Sequence, residues 1–330
     1  MMAHWRIRSV VSALMACLAL GCMNCSSTPQ ATGPASVQEE QSYFHPMTPL
    51  PNAKDSFKFV VLGDFGDGTQ RQYDLAKEMA RLHEQFPFET VITVGDNLYG
   101  RQRALDFKNK FEIPYQPLLD AKVKFYASLG NHDIREQPSY QLFNMGGKLY
   151  YSLKAPQQSV RFYMLDSNYM SPEQVDWIKN ELSSTNDDWK IVAFHHPLYS
   201  SGGRHGSDVK LRQTLEPIFI DNNVSVVLSG HDHFYERIKP QNGIIYFVCG
   251  GGGELAVGDI RPNTGLTDKG YDRACTFMAV EIQGDRMYFN AIRADGGVVD
   301  SGIIQRRKPL TKAQQQAAPV AQKAQASPHP

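Results

Sequence analysis

The stretch that decides the fold is residues 57–66, which read FKFVVLGDFG. A nearly unbroken apolar run there leads directly to Asp64, and residues 91–99, VITVGDNLY, repeat the arrangement with Asp96 after the run. Apolar runs of four to eight residues are typical of strands buried on both faces. Open α/β sheets place their functional residues where such strands end. The pattern therefore predicts an α/β protein with a site at the carboxyl ends of its strands.

Further apolar runs and helical patterns extend this arrangement along the chain. The other predicted strands are residues 124–129, 162–165, 191–194, 224–228 and 244–248. The predicted helices are residues 70–85, 172–182 and 208–221. Residues 276–292 alternate apolar and polar positions, which indicates antiparallel strands. Together these elements predict an α/β sandwich.

Five polar clusters follow the predicted strands in order. They are GDFG at 63–66, GDNLY at 95–99, GNHD at 130–133, HH at 195–196 and GHDH at 230–233. Mixed oxygen and imidazole donors suit iron, manganese or zinc better than calcium or magnesium, which prefer oxygen alone. The donors outnumber what one ion needs, so the sequence favours a site for two ions, which lie about 3.5–4 Å apart in such proteins.

The five clusters resemble the signature of the calcineurin-type metallophosphoesterases, and Tyr99 in GDNLY narrows the resemblance to the purple acid phosphatases. GRHG at 203–206 is most similar to the tartrate-resistant acid phosphatase branch, and the match covers nearly all of residues 63–233. The resemblance implies a metallophosphoesterase-type β-sandwich of two mixed sheets flanked by helices, in α-β-β-α layers. It also implies a binuclear enzyme that hydrolyses small phosphomonoesters by hydroxide attack.

The resemblance assigns a metal-binding role to seven residues. Those implied to bind a ferric ion are Asp64, Tyr99 and His233. Asp96 is implied to bridge the two ions. Those implied to bind a divalent ion, which is iron, zinc or manganese in the family, are Asn131, His195 and His231. A phenolate is a hard, electron-rich donor that favours Fe(III), and a trivalent ion acidifies bound water more than a divalent one.

Two further histidines are candidate catalytic residues. His132 and His205 resemble the family's histidines that bind phosphate and protonate the leaving group, and with Asn131 they are the candidate substrate-binding residues. Asp133 is expected to orient His132 or a ligand imidazole. The side chain of His196, next to a ligand at a strand end, is expected to point away from the site.

Two other functions remain open at this point. A phosphodiesterase or nucleotide hydrolase could use the same scaffold, although Tyr99 favours the monoesterase. A catalytically silent phosphate- or metal-binding surface protein would be expected to have damaged ligands, whereas all seven are present.

Composition excludes several classes of protein. The chain has 330 residues, with 34 Lys and Arg balanced by 34 Asp and Glu, and it has no basic tract, so nucleic acid is not an expected partner. The long apolar run is confined to the N-terminus, which excludes a membrane protein with several spans.

The first 22 residues are typical of an export signal. Arg6 and Arg8 precede a largely apolar stretch at 10–20, which is shorter than the roughly 20 residues that a transmembrane helix needs. ALGC at 19–22 resembles a bacterial lipobox, in which Cys22 would be lipidated; an ordinary cleaved signal is the alternative. The protein is therefore expected to be exported, either as a membrane-anchored envelope lipoprotein or as a periplasmic or secreted protein.

The remaining chain divides by composition. Residues 23–54 are predicted to be a flexible linker, 55–307 the catalytic domain and 308–330 a disordered tail. Cys249 and Cys275 could form a disulfide or remain buried thiols, and the sequence does not decide between them.

Overall fold

The computed structural model describes residues 47–308, in which strands and helices are numbered in chain order. The strands are β1 (Phe57–Leu62), β2 (Thr90–Val94), β3 (Lys124–Ser128), β4 (Tyr151–Lys154), β5 (Val160–Met164), β6 (Trp189–Ala193), β7 (Val226–Ser229), β8 (Tyr235–Ile238), β9 (Ile245–Cys249), β10 (Thr267–Tyr271), β11 (Thr276–Gln283), β12 (Arg286–Arg293) and β13 (Val298–Gln305). The α-helices are α1 (Gln70–Gln85), α2 (Ala104–Phe107), α3 (Ile113–Asp120), α4 (Pro172–Ser184) and α5 (Val209–Asp221). A π-helical segment (Lys108–Glu112) joins α2 to α3, and two 3₁₀ turns follow at Gln137–Ser139 and Gln141–Phe143.

The strands form two mixed sheets. The six-stranded sheet has the order β13-β12-β11-β1-β2-β3, in which β1, β2 and β3 are parallel and β11 runs antiparallel to β1. The seven-stranded sheet has the order β10-β8-β9-β7-β6-β5-β4, in which β5, β6, β7 and β9 are parallel. The predicted α/β fold with two mixed sheets flanked by helices is confirmed.

Aromatic contacts join the two sheets face to face. The ring centroids of Phe59 in β1 and Phe162 in β5 are 5.0 Å apart, and those of Phe247 in β9 and Phe289 in β12 are 5.2 Å apart. All five residues of β2 are buried, so this strand is covered on both faces. Buried apolar strands of this kind account for the unbroken apolar runs in the sequence.

The longer helices cover the sheets and begin where the sequence predicts. Ser171 accepts a hydrogen bond from the Gln174 backbone N–H at 3.2 Å and caps α4. Asp208 caps α5 in the same way, with the Leu211 backbone N–H as donor at 2.8 Å. Leu182 in α4 packs in a buried apolar cluster with residues of β5, β6 and β7. These helices therefore cover the face of the seven-stranded sheet that is turned away from the sandwich core.

The ordered contacts of the domain begin earlier than predicted. Residues 47–54 form no helix or strand, but the buried Glu281 accepts hydrogen bonds from the backbone N–H groups of Asn52 (2.6 Å) and Ala53 (2.7 Å). At the other end, the Arg307 guanidinium donates to the Ile220 carbonyl at 2.9 Å. The predicted boundary at residue 55 therefore omits a stretch that is fixed to the sheet.

The predictions for the two ends of the chain lie outside the described residues, whereas the state of the two cysteines is visible in the structure. The predicted signal and lipobox, residues 23–46 of the predicted linker, and residues 309–330 of the predicted tail lie outside the described residues. Cys249 and Cys275 are both buried free thiols, so they form no disulfide. Within residues 47–308, no helix combines the length and apolarity that a membrane span requires.

Candidate metal centre

Loops at the ends of β1 and β2 place two buried carboxylates. Asp64 and Asp96 adopt left-handed φ values of 54° and 48°, which residues other than glycine rarely do. In these turns each carboxylate accepts a backbone hydrogen bond, from His231 N–H to Asp64 Oδ2 (3.0 Å) and from His132 N–H to Asp96 Oδ1 (2.9 Å). The backbone therefore fixes both carboxylates while leaving other oxygen lone pairs free.

A second group of donors forms where β3, β6 and β7 end. The Nε2 atom of His195 is 3.0 Å from Asn131 Oδ1, 3.1 Å from His231 Nδ1 and 3.5 Å from Asp96 Oδ2. Its Nδ1 atom is 3.0 Å from the Val94 carbonyl oxygen. Because a carbonyl oxygen only accepts, Nδ1 carries the proton and Nε2 keeps its lone pair for a ligand.

A third group of donors surrounds Tyr99. Its hydroxyl donates to Asp64 Oδ1 at 3.1 Å and lies 3.2 Å from His233 Nε2. His233 Nε2 is in turn 3.5 Å from Asp64 Oδ1. The structure thus brings all seven predicted ligands together: Asp96, Asn131 and His231 lie around His195, and Asp64 and His233 lie around Tyr99.

Burial sets the protonation of these groups. Burial and the neighbouring Asp96 carboxylate raise the pKa of Asp64 well above its ordinary value, and burial also raises the pKa of Asp96. Burial and neighbouring imidazoles lower the pKa of His231 to about 2, and burial lowers that of His233 to about 4. Imidazoles that stay neutral are in the state that binds metal ions, and a nearby cation would favour the ionised carboxylates.

One buried atom tests whether a metal fits. Asp96 Oδ2 is buried without a hydrogen-bond partner among the described residues, although buried polar atoms nearly always have one. Donor atoms of Asp64, Asp96 and His195 all lie within 4.8 Å of one another. A cation between these donors would satisfy the unpaired oxygen. The residues therefore fit a metal centre of the kind that the resemblance implies.

The two candidate catalytic histidines lie beside proposed ligands and are exposed. The ring centroid of His132 is 4.8 Å from that of Tyr99, and the ring centroid of His205 is 4.0 Å from that of His231. His205 and Arg204 also line a cavity of about 490 Å³ next to the metal groups. A phosphate ester entering this cavity would meet both the metal donors and the His205 ring.

Asp133 acts differently from our expectation. Its carboxylate accepts hydrogen bonds from the backbone N–H groups of Gly130 (2.9 Å), Asn97 (3.0 Å) and Leu98 (3.1 Å) rather than from an imidazole. It therefore ties the loop after β2 to the loop after β3. The expectation that Asp133 orients His132 or a ligand imidazole was wrong, because backbone N–H groups of these two loops donate to its carboxylate instead.

The expectation that the side chain of His196 points away from the site was also wrong. Its ring centroid is 4.4 Å from that of His231 and 5.0 Å from that of His195, so it lies against the site. The expected alternation of side chains fails here because β6 ends at Ala193, before both histidines. The sequence signal that could have indicated a role for His196 is its position directly after His195 in the HH pair.

Glycines in the same loops allow this close packing. A Cβ atom at Gly130 would overlap the Asp96 carboxylate, and one at Gly230 would overlap the Asp64 carboxylate. A side chain at either position would therefore displace a proposed ligand.

Comparisons with known proteins agree with this geometry. The profile of the calcineurin-like phosphoesterase family matches residues 57–235. Human tartrate-resistant acid phosphatase type 5 is 30% identical over 313 residues, covering 78% of this chain and 95% of the human protein. Purple acid phosphatase 17 of Arabidopsis thaliana is 27% identical, covering 63% of this chain and 72% of its own.

Solved structures share the fold. A purple acid phosphatase from yellow lupin (Lupinus luteus) seeds superposes with a TM-score of 0.64 at 20% identity, covering 80% of this chain and 58% of its own. GAP50, an anchor in the inner membrane complex of Plasmodium, superposes with a TM-score of 0.65 at 20% identity, covering 79% and 93%. The chain belongs to the calcineurin-like phosphoesterase family and is a metallophosphatase that resembles the purple acid phosphatases. The expectation of an enzyme of this class is confirmed.

Proposed function

We propose that the protein hydrolyses small phosphomonoesters at a binuclear centre of Fe(III) and a divalent ion of iron, zinc or manganese. The observation that carries the proposal is the buried, unpaired Asp96 Oδ2 atom, which lies 3.5 Å from His195 Nε2 within a ring of neutral imidazoles and carboxylates. The acid phosphatase names of the relatives support the same reaction.

We assign the seven proposed ligands to the two ions by the type of donor atom that each residue supplies. Asp64, Tyr99 and His233 would hold Fe(III), because they supply a carboxylate, a phenolate and one imidazole. Asn131, His195 and His231 would hold the divalent ion, with Asp96 bridging the two. When bound, the ions supply positive charge that neutralises the phosphate and lowers the pKa of a water molecule.

The remaining groups either hold the proposed metal ligands in place or bind the substrate. The Val94 carbonyl fixes the His195 ring, and the backbone N–H of His132 fixes Asp96. The exposed rings of His132 and His205 would hold phosphate oxygens and give a proton to the leaving alcohol. Arg204, which also lines the cavity, adds positive charge for an anionic ester.

Metal analysis and substrate comparison test the proposal. The full chain, purified and loaded with iron and zinc, is expected to contain close to one of each and to hydrolyse an aryl phosphate monoester much faster than its diester. Faster turnover of the diester would favour the phosphodiesterase alternative. A protein that binds both metals and hydrolyses neither ester would contradict catalysis.

We also propose that the N-terminal segment exports the protein and that a lipid on Cys22 anchors it to the membrane. The ALGC sequence at 19–22 supports this proposal. Labelling of cells with a fatty acid is expected to mark the wild-type protein but not a Cys22→Ser variant. Equal labelling of both would contradict it, and Cys25→Ser is the matched control.

A further inference from the structure

A third histidine stands beside the two that are proposed to bind the divalent ion. One ring nitrogen from each of His195, His196 and His231 lies within 4.8 Å of the corresponding nitrogens of the other two. The three ring centroids form a compact triangle, with separations of 4.4, 4.9 and 5.0 Å. His231 Nδ1 and His195 Nε2 are 3.1 Å apart. Two nitrogens that bind one zinc ion at about 2.0–2.1 Å are separated by a similar distance.

The His196 ring is held in a way that matches a metal ligand. Its Nδ1 atom is 2.8 Å from the Ser167 hydroxyl, which also accepts the His196 backbone N–H at 3.0 Å. Ligating histidines commonly bind a polar group through the nitrogen that does not face the metal. Ser167 therefore contacts Nδ1 of His196 as the Val94 carbonyl contacts Nδ1 of His195. This arrangement leaves His196 Nε2 available to bind a metal ion.

We propose that His196 is an additional imidazole ligand of the divalent ion, next to His195 and His231. This inference rests on the proposed binuclear centre. Imidazole suits zinc and iron, whereas manganese prefers carboxylate and water oxygens. A third imidazole would therefore bias the divalent position towards zinc or Fe(II) and against manganese.

X-ray absorption at the zinc edge of the Fe(III)–Zn(II) protein counts the imidazoles directly. The expected count is three per zinc in the wild type, two in His196→Ala, and three in the control His205→Ala, whose ring also contacts His231. The wild-type count decides the question even if a variant does not fold, since a count of two overturns the inference. A wild-type count of two imidazoles, together with a higher KM in His196→Ala, would indicate that His196 contacts the substrate and not the metal ion.

Metal competition gives a second readout without catalysis. With zinc and manganese supplied equally, the ratio of bound zinc to manganese is expected to fall about 10-fold or more in His196→Ala. Ser167→Ala should lower zinc affinity by about 10-fold, in the range seen when the partner of a ligand is removed. An unchanged ratio in His196→Ala would overturn the inference.

The same samples separate this inference from the proposed function. A protein that binds iron and zinc, hydrolyses the aryl phosphate and has two imidazoles per zinc would retain the proposed function and lose only the role of His196. A protein that takes up no zinc beside iron would overturn both.

Discussion

Asp64, Asp96 and His231 combine a proposed metal-binding role with a left-handed backbone, at φ values of 54°, 48° and 72°. Such conformations cost roughly 1–3 kcal/mol each in residues other than glycine and persist only when the surrounding structure holds them. Here the His231 N–H donates to the Asp64 carboxylate at 3.0 Å, so two of these residues hold one another. Three of the eight described non-glycine residues with a positive φ are therefore proposed ligands.

Replacing Asn131 tests the divalent position. Asn131→Ala is expected to lose the divalent ion while retaining iron, because its Oδ1 atom is one of the oxygens beside His195 Nε2. Activity should fall by about 100-fold or more, the range for removing a group that stabilises charge in the transition state. Metal analysis checks the loss, with the exposed Asn180→Ala as control. Full zinc content in Asn131→Ala would contradict the assignment.

Replacing Tyr99 tests the ferric position. Tyr99→Phe removes the hydroxyl that lies 3.1 Å from Asp64 and 3.2 Å from His233. The visible absorbance expected of the iron-loaded wild type should disappear, because it requires a tyrosinate bound to Fe(III). The exposed Tyr169→Phe should keep the colour. A purple Tyr99→Phe protein would refute the tyrosinate assignment.

Residue types at the site were predictable from short motifs, but their neighbours were not. Each motif places a donor directly after a strand, which is local information. His196 was misjudged because its partner Ser167 is 29 residues away in the sequence. Asp133 was misjudged because its backbone donors Asn97 and Leu98 belong to another loop.

Among the elements, the π-helical segment Lys108–Glu112 has a direct relation to the site. Lys110 Nζ donates to the Tyr99 carbonyl at 2.6 Å. The Tyr73 hydroxyl of α1 donates to the Asn109 carbonyl at 2.6 Å, and Gln72 of α1 donates to the Lys110 carbonyl. A π turn displaces backbone carbonyls from ordinary helical pairing, and such turns are frequent at functional sites. The segment thus connects α1 to the loop that carries Tyr99.

This contact predicts that Lys110 positions Tyr99. In Lys110→Met the visible band of the iron-loaded protein is expected to shift and activity to fall about 10-fold, as for other losses of groups that support a ligand. Lys110→Arg should restore the band, because it can donate to the same carbonyl. The exposed Lys108→Met is the control. An unchanged band in Lys110→Met would contradict the positioning role.

There are physical reasons why some helices and strands were not predicted from the sequence. Helix α3 contains Pro114 and Pro117, which interrupt the usual helical signals, and α2 and the π segment are only four and five residues long. Strand β10 is only partly buried, so it has no apolar run. By contrast, β1 and α1 have the predicted bounds, because an apolar run and an amphipathic repeat are local properties of the chain.

At the scale of the whole molecule, the site is shared between the two sheets. Asp64, Asp96 and Asn131 follow strands of the six-stranded sheet, whereas His195 and His231 follow strands of the seven-stranded sheet. The sequence predicted strands and their polar ends but not the sheet order. For example, β1 pairs with β11, more than 200 residues later, and only long-range packing selects that partner.

Metal removal tests the connection between the sheets. Each ion that binds donors from both sheets would stabilise the folded state by about 2.7 kcal/mol at a concentration 100-fold above its Kd. For a domain of this size each kcal/mol corresponds to about 2–4 °C, so chelation is expected to lower Tm by roughly 5–10 °C for each ion removed, and reloading with iron and zinc is expected to restore it.

The size of that shift depends on how many ions remain. Asn131→Ala, which would still hold iron through Asp64 and His233, should have a Tm between those of the wild-type holoprotein and apoprotein. Chelation should then lower the Tm of Asn131→Ala by less than that of the wild type, because one ion is already absent. An equal decrease in both proteins would mean that Asn131 does not hold the divalent ion.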